Sequence, residues 1–483
     1  MSQSKAVPVQ IAFRSNPARY SFAGSARLIN AYAEKQGDDA AGPLAVLPCP
    51  GWVSACNVTD TPNRGSIFCD DLDCAYVVHS SGVFKVTLTT SDPFVLSATR
   101  IGTLPGTDMV QMSRNQADPA QISIHSENGE FYIEADIVKR VVDTDIANET
   151  VVTQDNLGGY TLYGTLSGKF IFSAINDCSD ANGLDFATAE QSADRLTRIK
   201  RSGQDAIFFG KQSVEFRRLT ADADLPFELI GGATKDIGWV APLGVCDCDN
   251  TVMGVAEDDN IYRFNGYSPQ IISTPSQSRY LQADPDRESV LALGWQFQGH
   301  QFASFIGTDW CQTYDASTQV FHDRVSYNLD TWRARSVFRG WGKTIFGDKL
   351  TGNLYYADKD TFTEGDDPFI WGFDTPIMHA AGGNGGIVDA LHFDVATGEG
   401  ASLDSDDDGY DPIMMLSWSV DGGKTYKGNR QLKLGKLGES VKVRTRRIGR
   451  FADKGIIFRV RISDPVIRAI VSMSAKVRPL QLL

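Results

Sequence analysis

A chain of 483 residues, 42% hydrophobic and 22% charged, is too long for one compact core and too apolar to be disordered. No stretch reaches about 18 uninterrupted apolar residues, which argues against a helical membrane span, and no apolar run follows the first lysine, so no secretory signal is expected. The net charge of −14 hides a split: from Asp421 onward there are 16 Lys and Arg against four acids, while the preceding 420 residues carry 30 against 56, so electrostatics matter to assembly or to a charged partner.

The predicted elements are almost all strands. The tract 1–50, ending at Pro48-Cys49-Pro50-Gly51, reads as an extended arm that either closes the following domain or reaches a neighbouring subunit. After it one hairpin recurs: an apolar run, a polar turn, and a second run with alternating aromatics. Its turns fall near residues 81, 128, 167, 211, 258, 308 and 351, a spacing of roughly 40–50 residues. That is the length of one four-stranded propeller blade. A blade cannot cover both its faces, so blades stack radially and bury them against each other. The reading is all-β: a β-propeller of six or seven blades over 51–375, with the insertion Ser179–Arg195 blurring the frame; a string of hairpins in sandwiches is the alternative. A small-residue stretch over 376–386 reads as a linker. Residues 387–483 alternate again and read as a basic, antiparallel, sandwich-like domain.

Eight cysteines without a secretory signal read as free thiols. Cys246 and Cys248 alternate about Asp247, as two core residues or half a metal site; no CxxC pair or nearby histidine completes a zinc set. His79 and His125 follow strands and read as turn or surface residues. Gly340-Trp-Gly-Lys343-Thr344 resembles the end of a phosphate loop, but the required earlier glycine is Val337 and the context is strand-turn-strand. Asp404, Asp406 and Asp408 with Gly409 match the first half of a calcium loop. Position 12 is Met415 and no helix flanks the loop, so a solvated acidic turn is the competing reading. Ser419-Val-Asp421-Gly-Gly423-Lys-Thr425-Tyr426 fits the Asp-box pattern of sialidases, a structural turn, here present once and outside the repeat. Lys442, Arg444, Arg446, Arg447 and Arg450 form a strand with a cationic face, a candidate contact for nucleic acid or an acidic protein surface. No aromatics interleave, so base stacking is not indicated and a solvated face or subunit contact is favoured. No catalytic constellation and no cofactor motif emerges.

Two blocks carry a resemblance. Near the start stand Arg27-Leu-Ile-Asn30-Ala-Tyr32-Ala-Glu34 and Pro48-Cys-Pro50-Gly51. At the end stand Met414–Tyr426, Thr445-Arg-Arg-Ile-Gly-Arg450 and Phe458-Arg-Val-Arg461-Ile-Ser463-Asp464-Pro465-Val466. Both resemble the tail hub or nozzle proteins of short-tailed bacteriophages, also called packaged-DNA stabilisation proteins. The resemblance implies a structural virion protein, assembled in the host cytoplasm. It implies a homohexameric ring below the portal and adaptor, with tail fibres as neighbours. The ring would retain packaged double-stranded DNA and conduct it during ejection without reading its sequence. It implies no enzyme activity. Cys49, where a small or polar residue is more usual, and the acidic turn at 404–408 depart from the pattern. Under this reading acidic propeller faces line the lumen and the basic domain meets an acidic partner ring. The rivals are a sialidase-like glycoside hydrolase and a monomeric cellular propeller scaffold.

Overall fold

The structure is a computed structural model and describes residues 5–37, 43–181, 186–188, 194–220, 222, 225–380 and 385–480. Parts of the insertion at 179–195 and of the linker, at 381–384, lie outside the described residues.

Each recurring hairpin is the second and third strand of one blade. The pairs are Cys74–His79 with Gly82–Ser91, Ile122–Ser126 with Gly129–Glu134, Tyr160–Thr165 with Lys169–Phe172, and Asp205–Gly210 with Val214–Leu219. They continue with Thr251–Val255 and Ile261–Asn265, His300–Ile306 and Cys311–Asp315, and Lys343–Asp348 and Asn353–Asp358. The blade count is therefore seven. The second strands are covered on both faces: every residue of Cys74–His79 and of Asp205–Gly210 is buried, whereas the third strands alternate toward an exposed end, as in Gly82–Ser91. Burial on both sides makes a strand a continuous apolar run rather than a strict alternation, which is why these hairpins stand out in the sequence.

The blades bury their faces on one another around the whole ring. Tyr76, Val78 and Val83 of blade one pack with Ile122, Ile124 and Phe131 of blade two. Ala75, Val77 and Phe84 of blade one also pack with Phe338, Ile345 and Leu354 of blade seven. Closure is achieved by exchange: blade seven takes its fourth strand, Gly51–Asn57, from before blade one, antiparallel to Asn353–Asp358. In the Gly340–Thr344 segment, Trp341 (φ 51°) and Gly342 (φ 76°) form a two-residue hairpin turn, so this segment is a turn and not a phosphate loop. His79 corrects the sequence reading. It is buried, with Nδ1 2.9 Å from the Thr61 carbonyl oxygen and Nε2 3.1 Å from the Asn63 amide nitrogen, so it ties strands together beneath the surface.

The sandwich draws on both ends of the chain. One sheet runs, in spatial order, Ala31–Lys35, Leu44–Pro48, Ile470–Pro479, Gly386–Val395 and Arg444–Phe451, and Lys5–Pro8 also pairs with Ile470–Pro479. The other runs Arg27–Ile29, Trp371–Asp374, Ile457–Ile462, Ile413–Ser419 and Lys427–Lys433. Leu28, Val46, Trp371, Val388, Leu416, Phe458, Val460 and Met473 meet between them. Ile29 pairs in parallel with Asp323, at the end of blade six, so the second sheet is continuous with that blade as one nine-stranded sheet. The strands of the N-terminal tract thus serve the sandwich and its connection to the propeller.

Candidate assembly surfaces and the joint between domains

The residues that join propeller to sandwich are polar, and Asn30, Asp323 and Asp374 among them are almost fully buried. Asn30, in the left-handed region at φ 51°, donates through its amide to the carbonyls of Val325 (2.8 Å) and Ile370 (2.7 Å), and its Oδ1 accepts from the Val325 amide (2.9 Å). Asparagine tolerates this backbone conformation better than most residues, and its side chain satisfies three groups at once. Beside it Arg27 Nε reaches Asp323 Oδ2 at 2.9 Å. Asp374, at the end of the strap leading to the sandwich, accepts from Arg459 Nη2 and Arg461 Nη2, both at 2.8 Å. Burial pushes the Asp374 carboxyl up, but Arg461 and Arg459 together outweigh it and hold the group below the usual carboxylate range.

Arg468 is a second node, wholly buried in the loop before the last strand. Its Nη2 donates to the carbonyls of Phe362 (3.0 Å) and Asp464 (2.7 Å), and its Nη1 to that of Phe369. Carbonyl dipoles, rather than a side-chain carboxylate, solvate this cation. Nearby Arg324 lies over the Trp332 ring (4.5 Å) and 3.8 Å from Glu364, whose Oε1 accepts from Trp332 Nε1 at 3.0 Å. Arg27, Asn30, Arg459 and Arg461 all belong to the two sequence blocks that carry the resemblance. The structure brings those blocks, from opposite ends of the chain, to one joint. No local motif marks Arg468, Asp374 or Asn30 as nodes, because the contacts that make them so lie 80 or more residues away: Phe362 and Phe369 for Arg468, Arg459 and Arg461 for Asp374, Val325 and Ile370 for Asn30.

The basic strand lies at a sheet edge. Arg444, Arg446, Arg447 and Arg450 are exposed, as is Lys442 just before it, while Thr445, Ile448 and Phe451 point inward. The simple alternation breaks at a bulge: Arg447 and Ile448 together oppose Asp389, and Arg447 sits at φ 57°. The extra residue turns Arg446 and Arg447 outward together. The other sheet's edge strand, Lys427–Lys433, runs alongside. Arg430 crosses the seam, donating to Thr445 Oγ1 (2.6 Å) and to the carbonyls of Arg446 and Arg447. Among the described residues, Lys424, Lys427, Lys442, Arg444, Arg446, Arg447 and Arg450 have no ion-pair or hydrogen-bond partner for their side-chain charges.

The remaining motifs are turns and core. Asp404, Asp406 and Asp408 are exposed, and Asp404 Oδ1 accepts from the Asp406 amide at 3.1 Å. Among the described residues no three His, Cys, Asp or Glu side chains converge as a metal-binding set. The Asp-box turn satisfies itself: Asp421 accepts from the Lys424 and Thr425 amides at 3.0 Å and from Ser419 Oγ at 2.7 Å, bonds that hold its carboxyl well below the usual range. Cys246 and Cys248 are buried core thiols with Asp247 facing the other way, and all eight cysteines are free. A polar cavity of about 660 Å³ opens on the inner strands of blades one to five, where Lys200 bridges to Asp247 at 2.8 Å.

The molecule is thus a closed seven-bladed propeller that shares a sheet with a sandwich, is stapled to it by buried polar side chains and displays a charged edge. The chain matches two adjacent family models, "Bacteriophage P22 Gp10, beta-propeller" over residues 47–362 and "Bacteriophage P22 Gp10, beta-sandwich" over residues 370–478, and it belongs to this family. It is accordingly a structural component of the tail of short-tailed phages, a nozzle or DNA-stabilisation protein. No curated protein matches the chain in sequence. Among solved structures it is similar to the WD40 β-propeller domain of Doa1, over 64% of this chain and 96% of that one at 10% identity and TM-score 0.42. It is also similar to the computationally designed Ika8 protein, over 64% of this chain and 100% of that one at 10% identity and TM-score 0.37.

Proposed function

We propose that six copies of this chain form a closed ring below the portal and adaptor, extending the DNA channel, retaining packaged DNA and conducting it during ejection. Assembly takes place in the host cytoplasm, and tail fibres and the adaptor ring are its neighbours. The role is mechanical, without catalysis: the one Asp box spends its carboxylate on its own turn. In this reading 51–375 carries the propeller and, at its end, the sandwich strand Trp371–Asp374; 376–386 is a connector running into the next sandwich strand, 387–483 is the sandwich-like domain, and 1–50 supplies strands that lock them.

The observation that carries the proposal is the joint. Both domains match one tail family in order, and buried residues from both chain ends hold them as a single body, as a component of a DNA conduit under pressure requires. Lys442, Arg444, Arg446, Arg447 and Arg450 act as a protein-contact surface: four of them stand on the strand at the free edge of a sandwich sheet and Lys442 just before it. The acidic propeller keeps DNA from adhering to the lumen, because like charge repels the phosphates. Light scattering on the purified protein, alone and with virion components, tests this. Six-fold particles, alone or on the adaptor, are expected; a monomer in every mixture contradicts the ring, and measurable glycan hydrolysis contradicts the mechanical role.

A further inference from the structure

The sandwich is electrically two-ended. At one end, residues 399–411 carry six acids and no Lys or Arg, and Leu403 stands there 81% exposed. Lys424, Lys427 and Arg450 lie toward the opposite end, and Arg446 and Arg447 stand midway, beside Arg430. The separation follows from the register. Ile413, which follows the acidic turn, pairs with Lys433, whereas Trp418 pairs with Lys427. Strand Ile413–Ser419 therefore spans the gap, roughly 20 Å for its seven residues. That exceeds the Debye length of about 8 Å in physiological salt, so the two ends do not neutralise each other within one copy. At the acidic end Lys433 pairs with Asp411, and Lys436 donates to Tyr410 Oη at 2.9 Å.

The basic end also carries an apolar anchor. The loop before Ala23 packs against Gly422 and Gly423 of the Asp-box turn. There Tyr20 (59% exposed) and Phe22 (62% exposed) stack with centroids 5.7 Å apart. Exposed, stacked aromatic rings on the turn that carries Lys424 are the composition of an interface, not of a solvated face. Both sheets also end here in strands with a free edge, so the surface is unpaired in backbone as well as charge.

We infer that the basic end of one sandwich, with its Tyr20–Phe22 pair, docks the acidic turn and Leu403 of a second copy. The inference rests on the ring reading and names its contact. Joining unlike ends is a heterologous interface, the kind that propagates round a ring and closes it when the rotation per copy divides a full turn. Complementary charge sets the register and the on-rate, while Leu403 against the aromatic pair supplies apolar burial.

Charge reversal tests it. One variant carries Arg446→Glu, Arg447→Glu and Arg450→Glu; the other carries Asp404→Lys, Asp406→Lys and Asp408→Lys. All six positions are exposed, so unchanged melting temperatures serve as the folding control. Each variant alone is expected to raise the concentration for half-assembly at least tenfold by light scattering, and the wild type to weaken as salt rises. Mixing the two variants in equal amounts is expected to restore rings, because one then offers two acidic ends and the other two basic ends. Wild-type rings that ignore both reversals, or variants that stay apart on mixing, overturn this interface and leave the ring reading standing. Loss of double-stranded DNA binding in the arginine variant, with rings intact, overturns it in favour of a nucleic-acid surface. A wild type that never assembles, even with virion components, overturns the ring reading itself.

Discussion

Arg468 in the sandwich donates through Nη2 to the carbonyl oxygen of Phe362, at the end of the propeller, at 3.0 Å. The same guanidinium holds Phe369 and Asp464, so one buried side chain fastens the strap between the domains to the sandwich loop. Arg468→Met retains much of the volume and removes every donor. Stranding several buried carbonyls is expected to cost about 3 kcal/mol or more. Calorimetry is the check: the wild type is expected to unfold with its domains coupled, and the variant to resolve into two transitions. Arg468→Lys, a point charge in place of a planar fork, is expected to recover less than half of the loss.

Asn30 is expected to behave as a second fastener with a backbone component. Asn30→Ala leaves the carbonyls of Val325 and Ile370 without their donor and places alanine at φ 51°. Asn30→Gly removes the same bonds without the strain. Chemical denaturation is expected to show both variants destabilised by about 2 kcal/mol or more, with Ala worse than Gly by about 1 kcal/mol.

Arg324 and Glu364 are expected to be coupled. Neither side chain is exposed, and none of the Arg324 nitrogens has a hydrogen-bond partner. Neutralising one member strands the other: Glu364→Gln alone is expected to cost about 3 kcal/mol while preserving the acceptor for Trp332. Adding Arg324→Met is expected to return most of that loss, since desolvating the pair costs about as much as its attraction gives. A double-mutant cycle that is additive within about 0.5 kcal/mol contradicts the coupling.

Mild acid is expected to loosen the same region through His322. Burial, reinforced by Arg324, pushes its pKa down to about 3. The unfolded chain takes up that proton near pH 6.5, whereas the folded chain resists until about pH 3. Stability is therefore lost as pH falls through this window, by up to about 1.4 kcal/mol per pH unit from this group. Denaturation midpoints of the wild type and His322→Gln, followed from pH 7 to pH 4, are expected to differ in slope, the variant being flatter.

The seven hairpins were legible in the sequence because the second strand of a blade is buried on both faces and the turns recur at blade length. The first and fourth strands were less visible. Strand Gly51–Asn57 belongs to blade seven although nearly 300 residues separate it from its partner, and such exchange leaves no local signature. His79 was misread for a related reason: its position after a strand says nothing of the neighbouring strand that covers it. The cationic strand was visible as a charge run. Its bulge was not, since nothing in Arg446-Arg447-Ile448 by itself demands that two residues face one. The joint escaped because Asn30, Asp374 and Arg468 are ordinary in local context, and the contacts that make them nodes are to residues 80 or more positions away.

The proposed ring is a six-fold conduit with an acidic lumen. Electron cryomicroscopy of the assembled protein, alone or on the phage tail, tests it most directly. The account predicts a closed ring of six, each copy keeping propeller and sandwich as one body, with acidic propeller faces toward the channel and Arg444–Arg450 against protein. A map in which those arginines line the lumen and contact DNA, or in which the copies do not close into a ring, contradicts it.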